Sequence, residues 1–166
     1  MNRKAAAAGS ALFFGVAPGT VAGVIPYWLT GWVARPAPDW WMPIRMLGFL
    51  LIAAGSAVLV TAFVRFVIEG AGTPAPVAPP EHLVVGGLYR YVRNPMYLAV
   101  VTAILGQAML LAQPVLLLYA AVVAVAVVAF VLGYEQPALT RQYGTEYLTY
   151  RRAVPPWWPR RPRSRL

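Results

Sequence analysis

From Met96 to Tyr134 the chain reads MYLAVVTAILGQAMLLAQPVLLLYAAVVAVAVVAFVLGY, thirty-nine residues without a charged side chain. At about 1.5 Å per residue one helix of this length would run roughly 58 Å, about twice the hydrocarbon thickness of a bilayer. A single spanning helix cannot use it. Gln113-Pro114 sits near the middle, and the residue before a proline disfavours helical backbone. The stretch therefore divides into a tight helical hairpin, with spans over 95–112 and 115–134.

Upstream, Met46 to Val64 is a second uncharged run, ending at Arg65. It gives a span over 45–68. Ahead of it, Ala5 to Ala34 follows Asn2-Arg3-Lys4 and carries no charge. That is longer than the h-region of about 7–15 residues in a signal peptide, so the sequence predicts a first span over 8–33. Pro18 and Pro26 each remove a backbone donor from it and should bend it. Gly15, Gly19 and Gly23 recur every four residues and share a face, suited to packing within the chain or to dimerisation. Between the first two spans, Arg35 to Arg45 is a short polar link whose Trp40 and Trp41 suit the headgroup level.

Composition agrees with this pattern. The 166 residues are 60% hydrophobic with a mean hydropathy of +0.61, well above soluble domains. Cysteine is absent and His82 is the lone histidine, with five acidic residues scattered along the chain. Thiolate chemistry and a metal centre are not expected. The net charge of +9 comes from residues that flank spans or cluster at the C-terminus. Anionic headgroups therefore explain it better than nucleic acid does.

The expected fold is all-α and integral to the membrane, with four transmembrane helices and a C-terminal cytoplasmic amphipathic helix. Four spans put both termini on one side. Arg35 and Arg45 fall on the other side, while the remaining twelve of fourteen basic residues lie with the termini or at nearby span ends. The positive-inside tendency makes the richer side cytoplasmic.

One polar island interrupts the apolar pattern. Gly86 to Leu98 reads GGLYRYVRNPMYL, a composition costly beside lipid unless a ligand, a headgroup or an internal partner satisfies it. Gly70 to Pro80 is loop by composition, with Pro74, Pro76, Pro79 and Pro80, and it leads into the island, giving a loop over 70–94. Arg65 and Glu69 are spaced to pair just before it.

Beyond the hairpin, Glu135-Gln136-Pro137 opens a helix predicted over 137–152. Leu139, Tyr143, Tyr147 and Tyr150 fall on one of its faces. The tail, 153–166, carries Trp157, Trp158, Arg160, Arg161, Arg163 and Arg165 and reads as an interfacial anchor on anionic lipid. The hairpin returns Glu135 to the level of Arg90, Arg93 and Asn94. Glu135 is then either a capping or ion-pairing residue or half of a site.

The stretch from Gly87 to Tyr97, the hydrophobic hairpin, Glu135-Gln136-Pro137-Ala138-Leu139, and Tyr143 to Tyr150 with Val154-Pro155 occur in that order. Together they resemble the isoprenylcysteine carboxyl methyltransferase and phospholipid methyltransferase superfamily over about residues 70–162. The resemblance implies an enzyme using S-adenosyl-L-methionine at the cytoplasmic membrane face, acting on a lipophilic or lipid substrate. It places Leu83, Val84, Gly87, Tyr89, Arg93, Asn94, Pro95, Tyr97 and Glu135 at the cofactor, and points to Glu135 and Arg90 for the chemistry.

Methyl transfer from a sulfonium needs alignment and dryness rather than a metal or covalent nucleophile. The chain departs from the family pattern at three positions. Asn94 stands where histidine is usual and cannot titrate near neutral pH. Gln136 replaces a second glutamate. Val131 replaces an arginine that holds a carboxylate substrate. Two alternatives stand beside methyl transfer: an NADPH-dependent reductase, since sterol reductases have a similar C-terminal architecture, and a non-enzymatic membrane scaffold.

Overall fold

A computed structural model describes residues 16–69 and 82–161, without the side chains of 66–69. The expectations for Gly15, the loop over 70–80, the Arg65–Glu69 pair, Arg163 and Arg165 lie outside the described residues. The elements they form are all helical, with no strand among the described residues. Helix α1 covers residues 16–30, with a π-turn at Thr20–Val24 and a last segment Ile25–Thr30. Helix α2 is Met42–Glu69, α3 Pro95–Leu111 and α4 Pro114–Phe130. A second π-turn, Val131–Glu135, carries α4 without a break into α5, Gln136–Tyr143. Helix α6 is Thr145–Ala153.

Two of these helical runs, Asp39–Arg65 and Pro114–Tyr143, are long and apolar enough to cross a membrane, and Pro95–Leu111 is a shorter apolar helix. Their outer faces are not a soluble protein's core. Val125 is 70% exposed and Leu118 68%, so the apolar surface calls for lipid. The chain is membrane-associated on these grounds.

The hairpin turns where the sequence places it. Pro95 and Pro114 occupy first-turn positions, where a missing N–H costs nothing. Ala112 takes the left-handed conformation, with φ of 52°. Gln113 donates its Nε2 to Val33 O at 2.8 Å, fastening the turn to the end of α1. The 35–45 link closes the same end: Trp41 Nε1 donates to Met109 O at 3.1 Å, filling a carbonyl that α3 leaves open as it ends.

The glycines that bring helices together are not those of α1. A Cβ on Gly19 or Gly23 would meet nothing within 4 Å. Among the described residues nothing packs on that face, where packing within the chain is one expectation. Close packing instead joins α2 to α3. A Cβ on Gly48 would lie 2.6 Å from Gly106 O, one on Gly106 2.7 Å from Gly48 O, and one on Gly55 2.8 Å from Ala99 O. Apolar helices gain little hydrophobic energy by associating in lipid, so backbone approach through small residues takes over that work.

Helix α1 is tied in by its own broken ladder. Ile25 N–H reaches back five residues to Thr20 O, and Pro26 has no N–H for Ala22 or Val21. Both carbonyls are filled from the hairpin: Gln107 Nε2 donates to Ala22 O at 2.7 Å, and Tyr119 donates its hydroxyl to Val21 O at 2.8 Å. Around them Val100, Ile104, Ala120 and Val123 form the buried core.

The C-terminal region differs from a single helix over 137–152. Gly144, with φ of 53°, separates α5 from α6. Residues 154–161 are non-helical, as the sequence suggests, and their backbone folds back over the polar island.

Candidate functional site

The open end of the hairpin brings together residues 38 apart in sequence: Tyr97, in the first turn of α3, donates its hydroxyl to Glu135 Oε2 at 2.7 Å. Glu135 closes the second π-turn. There Gln136 N–H reaches Val131 O, and Pro137 has no N–H for Gly133 or Leu132. A π-turn inserts one residue into the helical register, and such turns recur at functional sites. Glu135 is partly buried, and its Oε1 has no hydrogen-bond donor among the described residues.

Arg93 stands next to this pair. Its guanidinium is near enough to act on the charge of Glu135, and its Nη1 donates to the Tyr147 hydroxyl at 3.3 Å. Burial pushes the Tyr147 hydroxyl above the ordinary tyrosine range, and the opposing pull of Arg93 is the smaller effect. Tyr147 therefore meets Arg93 as a neutral phenol and cancels none of its charge. Arg93 Nε is buried without a hydrogen-bond partner. A buried orphan donor is costly. Arg45 Nε is orphaned as well, near the hairpin turn, although its Nη2 donates to Arg35 O at 2.9 Å. An orphan alone does not mark a site. At Arg93 it lies beside a carboxylate with a free oxygen, so donor and acceptor capacity of both signs is open in one place.

The island's backbone is built to hold this arrangement. Gly87 has φ of 57°, and a Cβ there would lie 2.9 Å from Arg65 Nε. The positive φ favours glycine here, while the Arg65 side chain would have to shift to admit a Cβ. It opens the short 3-10 turn Gly87–Arg90, whose Tyr89 is buried with Val84 and Ala62 against Met96. Tyr150 donates its hydroxyl to Tyr89 O at 2.7 Å. Leu83 packs on the cluster of Tyr147, Tyr150 and Val154, joined by Leu139 and Tyr143. The aromatic face of the C-terminal helices is thus turned onto the island.

Of the residues singled out by sequence, Tyr97, Glu135 and Arg93 converge. Pro95 is buried at the start of α3. Val84, Gly87, Tyr89 and Leu83 support the loop from beneath. Asn94 is buried, and its Nδ2 donates to Pro156 O at 3.1 Å. Arg90 is exposed, and no contact joins it to Glu135 among the described residues.

Sequence reasoning did not anticipate Tyr147 as the partner of Arg93, Arg65 beside Gly87, or the strap formed by residues 154–161. That strap accepts Arg93 N–H at Pro155 O and returns Arg160 N–H to Tyr91 O, each at 3.0 Å. For Tyr147 the signal was its place on the buried face of its helix. Bonds through backbone carbonyls leave no signature in side-chain types.

Among the described residues no group of acidic or histidine side chains could hold a metal ion. The open donor and acceptor beside each other do fit a ligand carrying both hydroxyls and a carboxylate, as S-adenosyl-L-methionine does.

Residues 43–146 match the family model PEMT, described as phospholipid methyltransferase. The match lends nothing to the reductase or scaffold alternatives. No curated protein and no solved structure matches the chain.

Proposed function

The chain belongs to the phospholipid methyltransferase family, and from that premise we propose that it transfers a methyl group from S-adenosyl-L-methionine to a lipophilic acceptor held in the bilayer. The observation that carries the proposal is the Tyr97–Glu135 hydrogen bond beside the buried, unpartnered Arg93 Nε. When bound, the cofactor supplies an electrophilic methyl group on a sulfonium.

The chain's own residues position and shield. Glu135, held by Tyr97, accepts hydrogen bonds from ribose hydroxyls through its free oxygen. Arg93 meets a carboxylate, a charge-assisted contact of about 1.5–3 kcal/mol. Leu83, Val84 and Tyr89 keep water from beneath the loop, and Gly87 lets the backbone turn tightly. Asn94 and Pro95 set the start of α3, so that Tyr97 faces Glu135. Arg90, exposed, suits a headgroup phosphate better than the reacting centre. Val131 in place of an arginine weighs against a carboxylate acceptor and leaves amine, thiol and hydroxyl acceptors.

The remaining assignments are part of the same proposal. Four spans, with α1 and α3 completing the two longer ones, place the open end of the hairpin at the cytoplasmic face. The basic tail then lies against anionic headgroups.

The test is direct. Protein in lipid nanodiscs, given S-adenosyl-L-methionine with a deuterated methyl group, should add a mass of one labelled methyl to a lipid in the extract. An extract without label across amine-, thiol- and hydroxyl-bearing lipids, from protein that S-adenosylhomocysteine does not stabilise thermally, would overturn the proposal.

A further inference from the structure

We infer that Asn94 is a positioning residue: its side chain latches the C-terminal strap over the site loop, and the strap holds Arg93 in register with Glu135. The binding readout used below rests on the methyl-transfer proposal; the latch itself does not.

Asn94 is 6% exposed, and its amide donates to Pro156 O at 3.1 Å. One residue earlier, Arg93 N–H donates to Pro155 O at 3.0 Å, and Arg160 N–H donates to Tyr91 O at 3.0 Å. The strap's prolines, Pro155, Pro156 and Pro159, have no N–H, so at its near end the strap can only accept from the loop. The loop's donors there are one backbone N–H and the Asn94 side chain.

Helix α6 completes the clamp from below, through Tyr147 to the Arg93 guanidinium and Tyr150 to Tyr89 O. Arg93 is thus held at its backbone by the strap and at its side chain by the helix leading into it. Asn94 has one of its two amide N–H groups committed to the strap, and at 6% exposed it keeps little surface for a ligand. Its contribution to the site passes through Arg93.

The experiment uses the full chain in nanodiscs with two readouts: tryptic cleavage between Arg160 and Arg161 followed by mass spectrometry, and S-adenosylhomocysteine affinity. Asn94→Ala should speed cleavage and weaken affinity by about threefold to tenfold, the loss of one hydrogen bond. Asn94→Leu, similar in size and without a donor, should behave the same way. Asn94→His, whose ring N–H can donate, should move both readouts back toward the parent.

In a chain ending at Val154, adding Asn94→Ala should weaken affinity no further, because the truncation already removes the one interaction that Asn94→Ala removes. Full additivity there, or weaker affinity without faster cleavage in Asn94→Ala, would show that Asn94 touches the ligand itself and overturn the latch. If the shortened chain does not fold, the cleavage order of the three Asn94 variants decides alone. If the parent protein binds no S-adenosylhomocysteine, the methyl-transfer proposal fails while the cleavage order still tests the latch.

Discussion

The chain makes one backbone manoeuvre twice, at opposite ends of the hairpin. Thr20–Val24 and Val131–Glu135 are both π-turns, and each lies two residues ahead of a proline that withholds an N–H from the preceding turn. At the turn end, Gln107 and Tyr119 reach across from the hairpin and fill the two carbonyls that Pro26 leaves open, and Trp32 Nε1 donates to Gln107 Oε1 at 3.2 Å. At the open end, the π-turn delivers Glu135 to Tyr97, leaving a carboxylate oxygen and Arg93 Nε without partners among the described residues. Polar groups in a membrane protein are costly in either place. At the turn end the completed bonds of Gln107 and Tyr119 join helices, whereas at the open end a carboxylate and a guanidinium are left partly open side by side, the arrangement on which the proposed site rests.

The largest expected effect is at the open end. Glu135→Gln keeps the shape and removes the charge, and should weaken S-adenosylhomocysteine binding about 100-fold, roughly the worth of charged hydrogen bonds to two hydroxyls. Titration calorimetry on the purified protein measures it, and unchanged affinity would remove Glu135 from the site.

Next comes the contact between α2 and α3. Gly106→Ala forces a Cβ to 2.7 Å from Gly48 O and 2.8 Å from an Ile52 side-chain carbon. It should cost about 1–3 kcal/mol of stability by overpacking, read as a lowered Tm.

Tyr97→Phe removes the donor that orients Glu135, and should weaken binding about tenfold with little change in Tm. The smallest effects belong to the turn end. Gln107→Ala and Tyr119→Phe should each cost about 0.6–1.7 kcal/mol, the range of interhelical hydrogen bonds in membranes, and leave ligand affinity alone.

Much of this comparison is legible in the sequence, and the parts that are not have physical reasons. The hairpin can be read from an uncharged run too long for one helix and a proline at its centre. Tyr97 and Glu135 meet because a hairpin returns its ends to one level, so the topology implies the contact that the sequence distance hides.

The glycines mislead in one helix and go unmarked in another. A spacing of four in α1 identifies a face but not what lies against it, and Gly19 and Gly23 meet nothing among the described residues. Gly48 and Gly55, seven apart, carry the close approach instead. The strap is hidden for another reason. Tryptophan, proline and arginine make the same composition whether a tail lies on headgroups or folds back through its carbonyls, and here Trp158 is 81% exposed while its neighbours are bonded to the loop. The π-turns leave only their prolines as a trace.

The most direct test sets the two ends against each other in one experiment: S-adenosylhomocysteine affinity and Tm measured together for Glu135→Gln and Gln107→Ala in nanodiscs. The account predicts that Glu135→Gln loses affinity and keeps Tm, while Gln107→Ala loses Tm and keeps affinity. If Gln107→Ala abolishes binding, or Glu135→Gln binds as well as the parent protein and unfolds earlier, the division between a structural end and a binding end is wrong.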